Sequence, residues 1–162
     1  GLVGSEMCIE TEPEPVEPDK SNVDTTKKLH CTISIDCATI LNNLSDLDPA
    51  KLDVLPTDGV VLGAVTVEFS EGESVFDVLQ RVCRENNIHL EATFTPGYNS
   101  AYVEGIHNLY EFDCGELSGW MYSVNGWFPN YGCSRYALQD GDVIRWRYTC
   151  NLGADVGGSM VA

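Results

Sequence analysis

From Glu111 to Gly153 the chain reads EFDCGELSGWMYSVNGWFPNYGCSRYALQDGDVIRWRYTCNLG, which parses as two strands, a tight hairpin and a last strand. Gly119 to Val124 alternates in character and runs into Asn125-Gly126. Asn-Gly between apolar strands is the strongest short hairpin signal, because a type I′ turn needs positive φ at both central residues. Trp127-Phe128-Pro129 starts the return, and Asp140-Gly141-Asp142 makes a second turn into Val143–Cys150. There Ile144, Trp146, Tyr148 and Cys150 share one face, and Val143, Arg145, Arg147 and Thr149 share the other. All three tryptophans and three of the seven cysteines lie in this stretch. So many aromatic rings either anchor the core or present a ligand surface.

The order GW-x-Y-x-VNG, then Tyr136 and Leu138, then DGD-V-I-x-W-x-Y, resembles the transcobalamin-like C-terminal domain family of Gram-positive bacterial surface proteins. The likeness runs from about Leu29 to Gly158 and is carried by SGWMYSVNG, NYGCS and DGDVI-W-YTC. It extends more distantly to the β domain of transcobalamin and intrinsic factor. It implies a soluble-ligand-binding β-grasp.

Going outward, 162 residues suffice for one domain with its own core. The net charge is −16. Residues 1–28 hold seven acids and three bases, and residues 29–162 hold 18 acids and six bases, so the folded part is itself acidic. Such a field repels nucleic acid and anionic membrane. It serves either the attraction of cations and basic partners or plain solubility. No run of 18 apolar residues occurs, so no membrane span is expected, and the first residues do not read as a secretory leader. Seven cysteines without a C-x-x-C pair argue for disulfides in an oxidising compartment rather than zinc.

Residues 1–28 form a Pro/Glu-rich linker, because TEPEPVEPDK alternates proline with acid, favours extended polyproline II and cannot build a core. Cys8 within it is either a stray thiol or a lipid-anchored cysteine. The first strand, Leu29–Cys37, alternates Cys31, Ile33, Ile35 and Cys37 with polar residues. Asp48-Pro49 suits an N-cap followed by proline, so Pro49–Leu55 is a short helix. Val65–Phe69 is a short strand. Ser74 with Asp77 makes a capping-box-like pair, and Val75, Val78, Leu79, Val82 and Cys83 form one apolar helical stripe ended by Asn86-Asn87. Ile88–Phe94 and Tyr98–Ile106 are further strands around a Thr95-Pro96-Gly97 turn. The fold class is therefore α+β, a β-grasp-like mixed sheet packed on one main helix, with short extra helices and a disordered acidic linker. The domain spans 29–158, and 159–162 is a flexible tail.

The β-grasp resemblance implies that the first and last strands pair in parallel. On that basis Cys37 and Cys150, which end those strands on their apolar faces, are expected to form a disulfide. Cys114 and Cys133 flank the Asn125-Gly126 hairpin and suggest a second, although four cysteines allow three pairings. Cys31 and Cys83 read as buried thiols.

Enzyme signatures are poor: there is no phosphate loop, no G-x-S-x-G and no H-E-x-x-H, and His30, His89 and His107 stand apart. No catalytic residue, metal ligand or cofactor is assigned. Asp113, Glu116, Asp140, Asp142 and Asp155 are the carboxylates that calcium would need, but Asp140-Gly141-Asp142 reads first as a turn. Trp146 and Tyr148 belong to the core. In the cobalamin carriers the β domain closes on one face of the corrin with its hairpins. The matching positions here are Trp120, Tyr122, Asn125, Trp127, Phe128 and Tyr131. No counterpart of the carriers' large helical domain is expected within these residues, so the resemblance implies a half-site. The expectation is an extracellular, cell-surface or lipid-anchored, non-enzymatic module for cobalamin or a related corrinoid, completed by a partner domain or surface protein. The alternative is a surface spacer or protein-interaction module with no small ligand.

Overall fold

A computed structural model describes residues 23–95 and 100–158. The linker through residue 22, Cys8, Pro96, Gly97, Tyr98 and the 159–162 tail lie outside the described residues. Among the described residues seven strands and one α-helix follow in chain order: β1 (Lys28–Asp36), β2 (Val60–Ser70), α1 (Val75–Glu85), β3 (Leu90–Thr95), β4 (Ser100–Ile106), β5 (Leu109–Tyr110), β6 (Gly119–Val124) and β7 (Val143–Thr149). Short 3-10 turns fill Ala38–Asn42, Leu44–Asp46 and Pro49–Val54. The fold is a sheet-dominated α+β arrangement, as the sequence indicates.

The first and last strands are neighbours. A four-stranded sheet has the order β2-β1-β7-β6, in which β1 and β7 run parallel with Ile33 opposite Ile144 and Ile35 opposite Trp146. The other two pairings in this sheet are antiparallel. Ile33, Ile35, Ile144 and Tyr148 are fully buried. The helix stripe Val75, Val78, Leu79, Val82 and Cys83 joins them in one core cluster. Burying each such aliphatic chain contributes about 1.5–3 kcal/mol. The start of α1 is fixed by the capping box: Ser74 Oγ accepts from Asp77 N at 3.1 Å, and Asp77 Oδ2 accepts from Ser74 N at 2.9 Å.

Three local features are refined. The expected mixed sheet is the four-stranded one, and β3, β4 and β5 form a separate antiparallel sheet beside it. Its β4–β5 hairpin turns at His107 and Asn108, both at positive φ (57° and 60°). That is type I′ backbone without the glycine that signals it in a sequence. Second, β2 is longer than Val65–Phe69, because Gly63-Ala64 interrupts its apolar alternation. Register shifts against β1 between Ile33 and Asp36 absorb the extra residues. Third, Asn125 and Gly126 do make the left-handed turn (φ 55° and 84°). The return consists of a single bridge, Val124 to Trp127. Pro129 has no N–H with which to extend a ladder, and β6 takes its full pairing from β7 instead.

Tyr148 ties the sheet to the loop ahead of β6. Its hydroxyl lies 2.8 Å from Tyr110 O and 3.0 Å from Ser118 Oγ. Ser118 Oγ in turn donates to Gly115 O at 2.7 Å and accepts from Cys114 N at 3.1 Å. Stripping one hydroxyl from this buried set leaves an acceptor dry, at a cost of about 1–3 kcal/mol. Tyr148→Phe is expected to lower the urea unfolding free energy by that amount with an unchanged far-ultraviolet circular dichroism spectrum. An unaltered unfolding midpoint would show that the hydroxyl does not hold the loop.

Candidate functional site

A cavity of about 400 Å³ opens where β4, the edge strand β6 and the 129–133 segment meet. Strand alternation puts Trp120 and Tyr122 on the inner face of β6, both 8% exposed, and both line the cavity. Each ring is anchored by its polar end. Trp120 Nε1 donates to Leu109 O at 2.8 Å, and Tyr122 OH donates to Tyr131 O at 2.8 Å. The second bond holds the 129–133 segment against β6. Gly132 completes the closure, since a Cβ there would come within 2.1 Å of Ser100 Oγ and 2.9 Å of Ala101 O. Only glycine lets the segment approach β4 that closely.

Of the six positions expected to bind ligand, the structure gathers three, Trp120, Tyr122 and Tyr131, around the cavity. The other three are elsewhere. Asn125 is engaged with the β7 turn: its Nδ2 donates to Asp142 Oδ1 and its Oδ1 accepts from Val143 N, both at 2.9 Å. The Trp127 ring packs against Tyr131 and Tyr136, with centroids 6.2 and 6.4 Å away. Phe128 lies against Gly158. Two wall residues escaped the sequence reading. Tyr102, from β4, is half exposed and donates its hydroxyl to Glu111 Oε1 at 2.8 Å. Trp146, assigned to the core, is 2% exposed and also lines the cavity. Its indole N–H has no hydrogen-bond partner among the described residues. The only signal for either was in-phase alternation, which looks the same for a core ring and a cavity ring.

None of the described residues lining the cavity is charged, although the chain carries −16. The wall therefore offers ring faces and uncharged polar groups. It suits uncharged rings with an acceptor, or a cation attracted to ring faces, and it disfavours anions. Burial pushes the wall phenols up. Tyr102 rises to about 12, with the Glu111 carboxylate adding to the effect of burial. Tyr122 rises further, chiefly through burial.

The acids weighed for calcium are dispersed. Asp140 accepts from His30 N, Asp142 from Gln139 N, Asp113 from Tyr110 N and Asp155 from Cys150 N. Among the described residues no group of three His, Cys, Asp or Glu side chains is placed to hold a metal ion. The six described cysteines are free thiols, so neither Cys37–Cys150 nor Cys114–Cys133 is bridged. Cys114 lies beside Cys150, whereas the Cys133 thiol is directed at Ala101 O, 4.0 Å away, in the cavity wall. The β6–β7 pairing explains this: it carries the segment before β6 to the end of β7.

A family profile described as "Domain of unknown function (DUF4430)" matches residues 72–150. No curated protein matches the chain. Among solved structures, haptocorrin in complex with Cbi superposes with a TM-score of 0.53 at 14% identity, over 81% of this chain and 27% of haptocorrin. The chain thus spans about a quarter of that protein. A protein named as a candidate metal binder from Ruminococcus gnavus ATCC 29149 gives 0.43 at 15% identity, over 75% of this chain and 96% of its own. The second superposition is too loose to bear on fold or function. The first shows a shared fold, and that alone.

The raised phenols and thiols have a consequence for stability. Tyr102 and Tyr136 move from 10.0 to about 12, and Cys31 and Cys83 from 9.0 to about 11, all chiefly by burial. A native acid that holds its proton more tightly than the unfolded chain stabilises fully below the unfolded pKa, and this stabilisation fades as pH rises towards the folded value. The urea midpoint should therefore hold up to about pH 9 and fall between about pH 9 and 12. A midpoint that rose across this window would contradict the burial of these groups.

Proposed function

We propose that this chain is a non-enzymatic ligand-capturing module whose aromatic cavity receives part of a ring-shaped ligand of low net charge. A cobalamin-type corrinoid is the candidate. The observation that carries this reading is the uncharged cavity walled by Tyr102, Trp120, Tyr122, Tyr131 and Trp146 within a strongly acidic chain. The shared fold with haptocorrin supports it. A volume of about 400 Å³ lies near the lower end of the roughly 300–1,000 Å³ typical of small-molecule sites. A corrinoid would therefore lie across the mouth with one edge inserted, and its other face would be covered by a partner domain or surface protein. The setting we infer is extracellular and cell-surface or lipid-anchored, and no helix among the described residues is long and apolar enough to cross a membrane.

A second reading, a surface spacer or protein-interaction module without a small ligand, draws support from the packed rings of the hairpin. Trp127 is spent on Tyr131 and Tyr136, and Phe128 on Gly158.

Titration with cobalamin and cobinamide, followed by heat and by corrin absorption, separates the two. The ligand-capturing reading expects saturable binding at micromolar or tighter, on the order of −8 kcal/mol. It also expects Tyr131→Ala to weaken binding by about tenfold or more, about 1.4 kcal/mol, without lowering the helix and strand content. Absence of both heat and spectral change with either corrinoid would favour the spacer.

A further inference from the structure

Three thiols gather at one end of the four-stranded sheet, away from the cavity. Cys37 follows β1, Cys150 follows β7, and Cys114 lies in the segment leading to β6. The Cys114 and Cys150 thiols lie beside each other. Both rest on the same short 3-10 segment. Cys114 Sγ is 3.4 Å from Asn43 O, Cys150 Sγ is 3.6 Å from Thr39 Oγ1, and Asn43 Nδ2 donates to Thr39 O at 2.9 Å. Thr39 Oγ1 in turn donates to Tyr148 O at 2.6 Å, which holds this segment to the end of β7. Cys114 and Cys37 are buried, while Cys150 is half-buried and so within reach of a reagent.

We propose that Cys114 and Cys150 are an oxidisable pair that closes to a disulfide by exchange with a small-molecule or protein disulfide. The half-buried Cys150, as thiolate, attacks the reagent disulfide, forms a mixed disulfide and expels one reagent thiolate. The Cys114 sulfur then attacks Cys150 Sγ and expels the second. The two protein S–H bonds are lost, one S–S bond forms between Cys114 and Cys150, and the reagent disulfide is reduced to two thiols that carry the two protons. Burial raises both thiols above the usual range, so exchange is slow at neutral pH. The bridge ties the segment ahead of β6, and hence Trp120 in the cavity wall, to the end of β7. It stands independently of the ligand reading.

Incubating the full chain with oxidised glutathione at mildly alkaline pH, followed by a non-reducing peptide map, tests it. The expected product is one crosslink joining the Cys114 and Cys150 peptides, reversed by dithiothreitol. The melting temperature should rise by roughly 10 °C, because the bridge closes a long loop in the unfolded chain. The crosslink should survive Cys37→Ser. If that variant does not fold, the wild-type map decides alone. A Cys37–Cys150 or Cys114–Cys133 crosslink, glutathione adducts without a bridge, or no reaction at all would each overturn the assignment.

Discussion

The parallel pairing of β1 with β7 is the constraint on which the rest of the structure depends. It joins residues more than a hundred positions apart and places Ile33 beside Ile144 and Ile35 beside Trp146. A parallel neighbour cannot be reached by a tight turn, so everything between the two strands must be carried round as a cover. The helix α1 supplies an apolar stripe for the core. The second sheet brings β4 close to β6, and the cavity lies where they meet. The flanking strands β2 and β6 need only local antiparallel pairing once the central pair exists.

The cavity follows from how β6 is used. As an edge strand it pairs with β7 on one side only, and the return from its hairpin lasts for a single bridge. The chain then folds back as an irregular segment, pinned by the Tyr122–Tyr131 hydrogen bond and by the contact of Gly132 with Ser100. The space left between that segment, β6 and β4 is lined by rings because β6 turns Trp120 and Tyr122 inward, β7 adds Trp146 and the returning segment adds Tyr131. None of the described residues lining this space is charged, although the chain as a whole is strongly acidic.

The cysteines show how far linear spacing carries. Flanking a hairpin in sequence suggested that Cys114 and Cys133 face each other. The hairpin is not a ladder, and the two thiols point to different neighbours, Asn43 O and Ala101 O. Likewise Asn125 was recognisable as a turn residue, but its side chain is taken up by Asp142 and Val143 across the β6–β7 end. A ligand role could not be separated from a structural one until those partners were known.

What the sequence determined by itself was local and periodic: the alternation of β1 and β7, the α1 stripe with its Ser74–Asp77 box, the left-handed Asn125-Gly126 turn and the buried inner faces of β6 and β7. Each depends on backbone geometry within a few residues, which side-chain order encodes directly. The likeness in motif further implied the parallel closure. Only the tertiary structure decided that the strands split into two sheets, that His107-Asn108 turns a hairpin, that Tyr102 and Trp146 wall a cavity, and that Cys114 meets Cys150. These contacts join segments distant in the chain. Their geometry is set by packing and by hydrogen bonds between those segments, to which neither periodicity nor spacing responds.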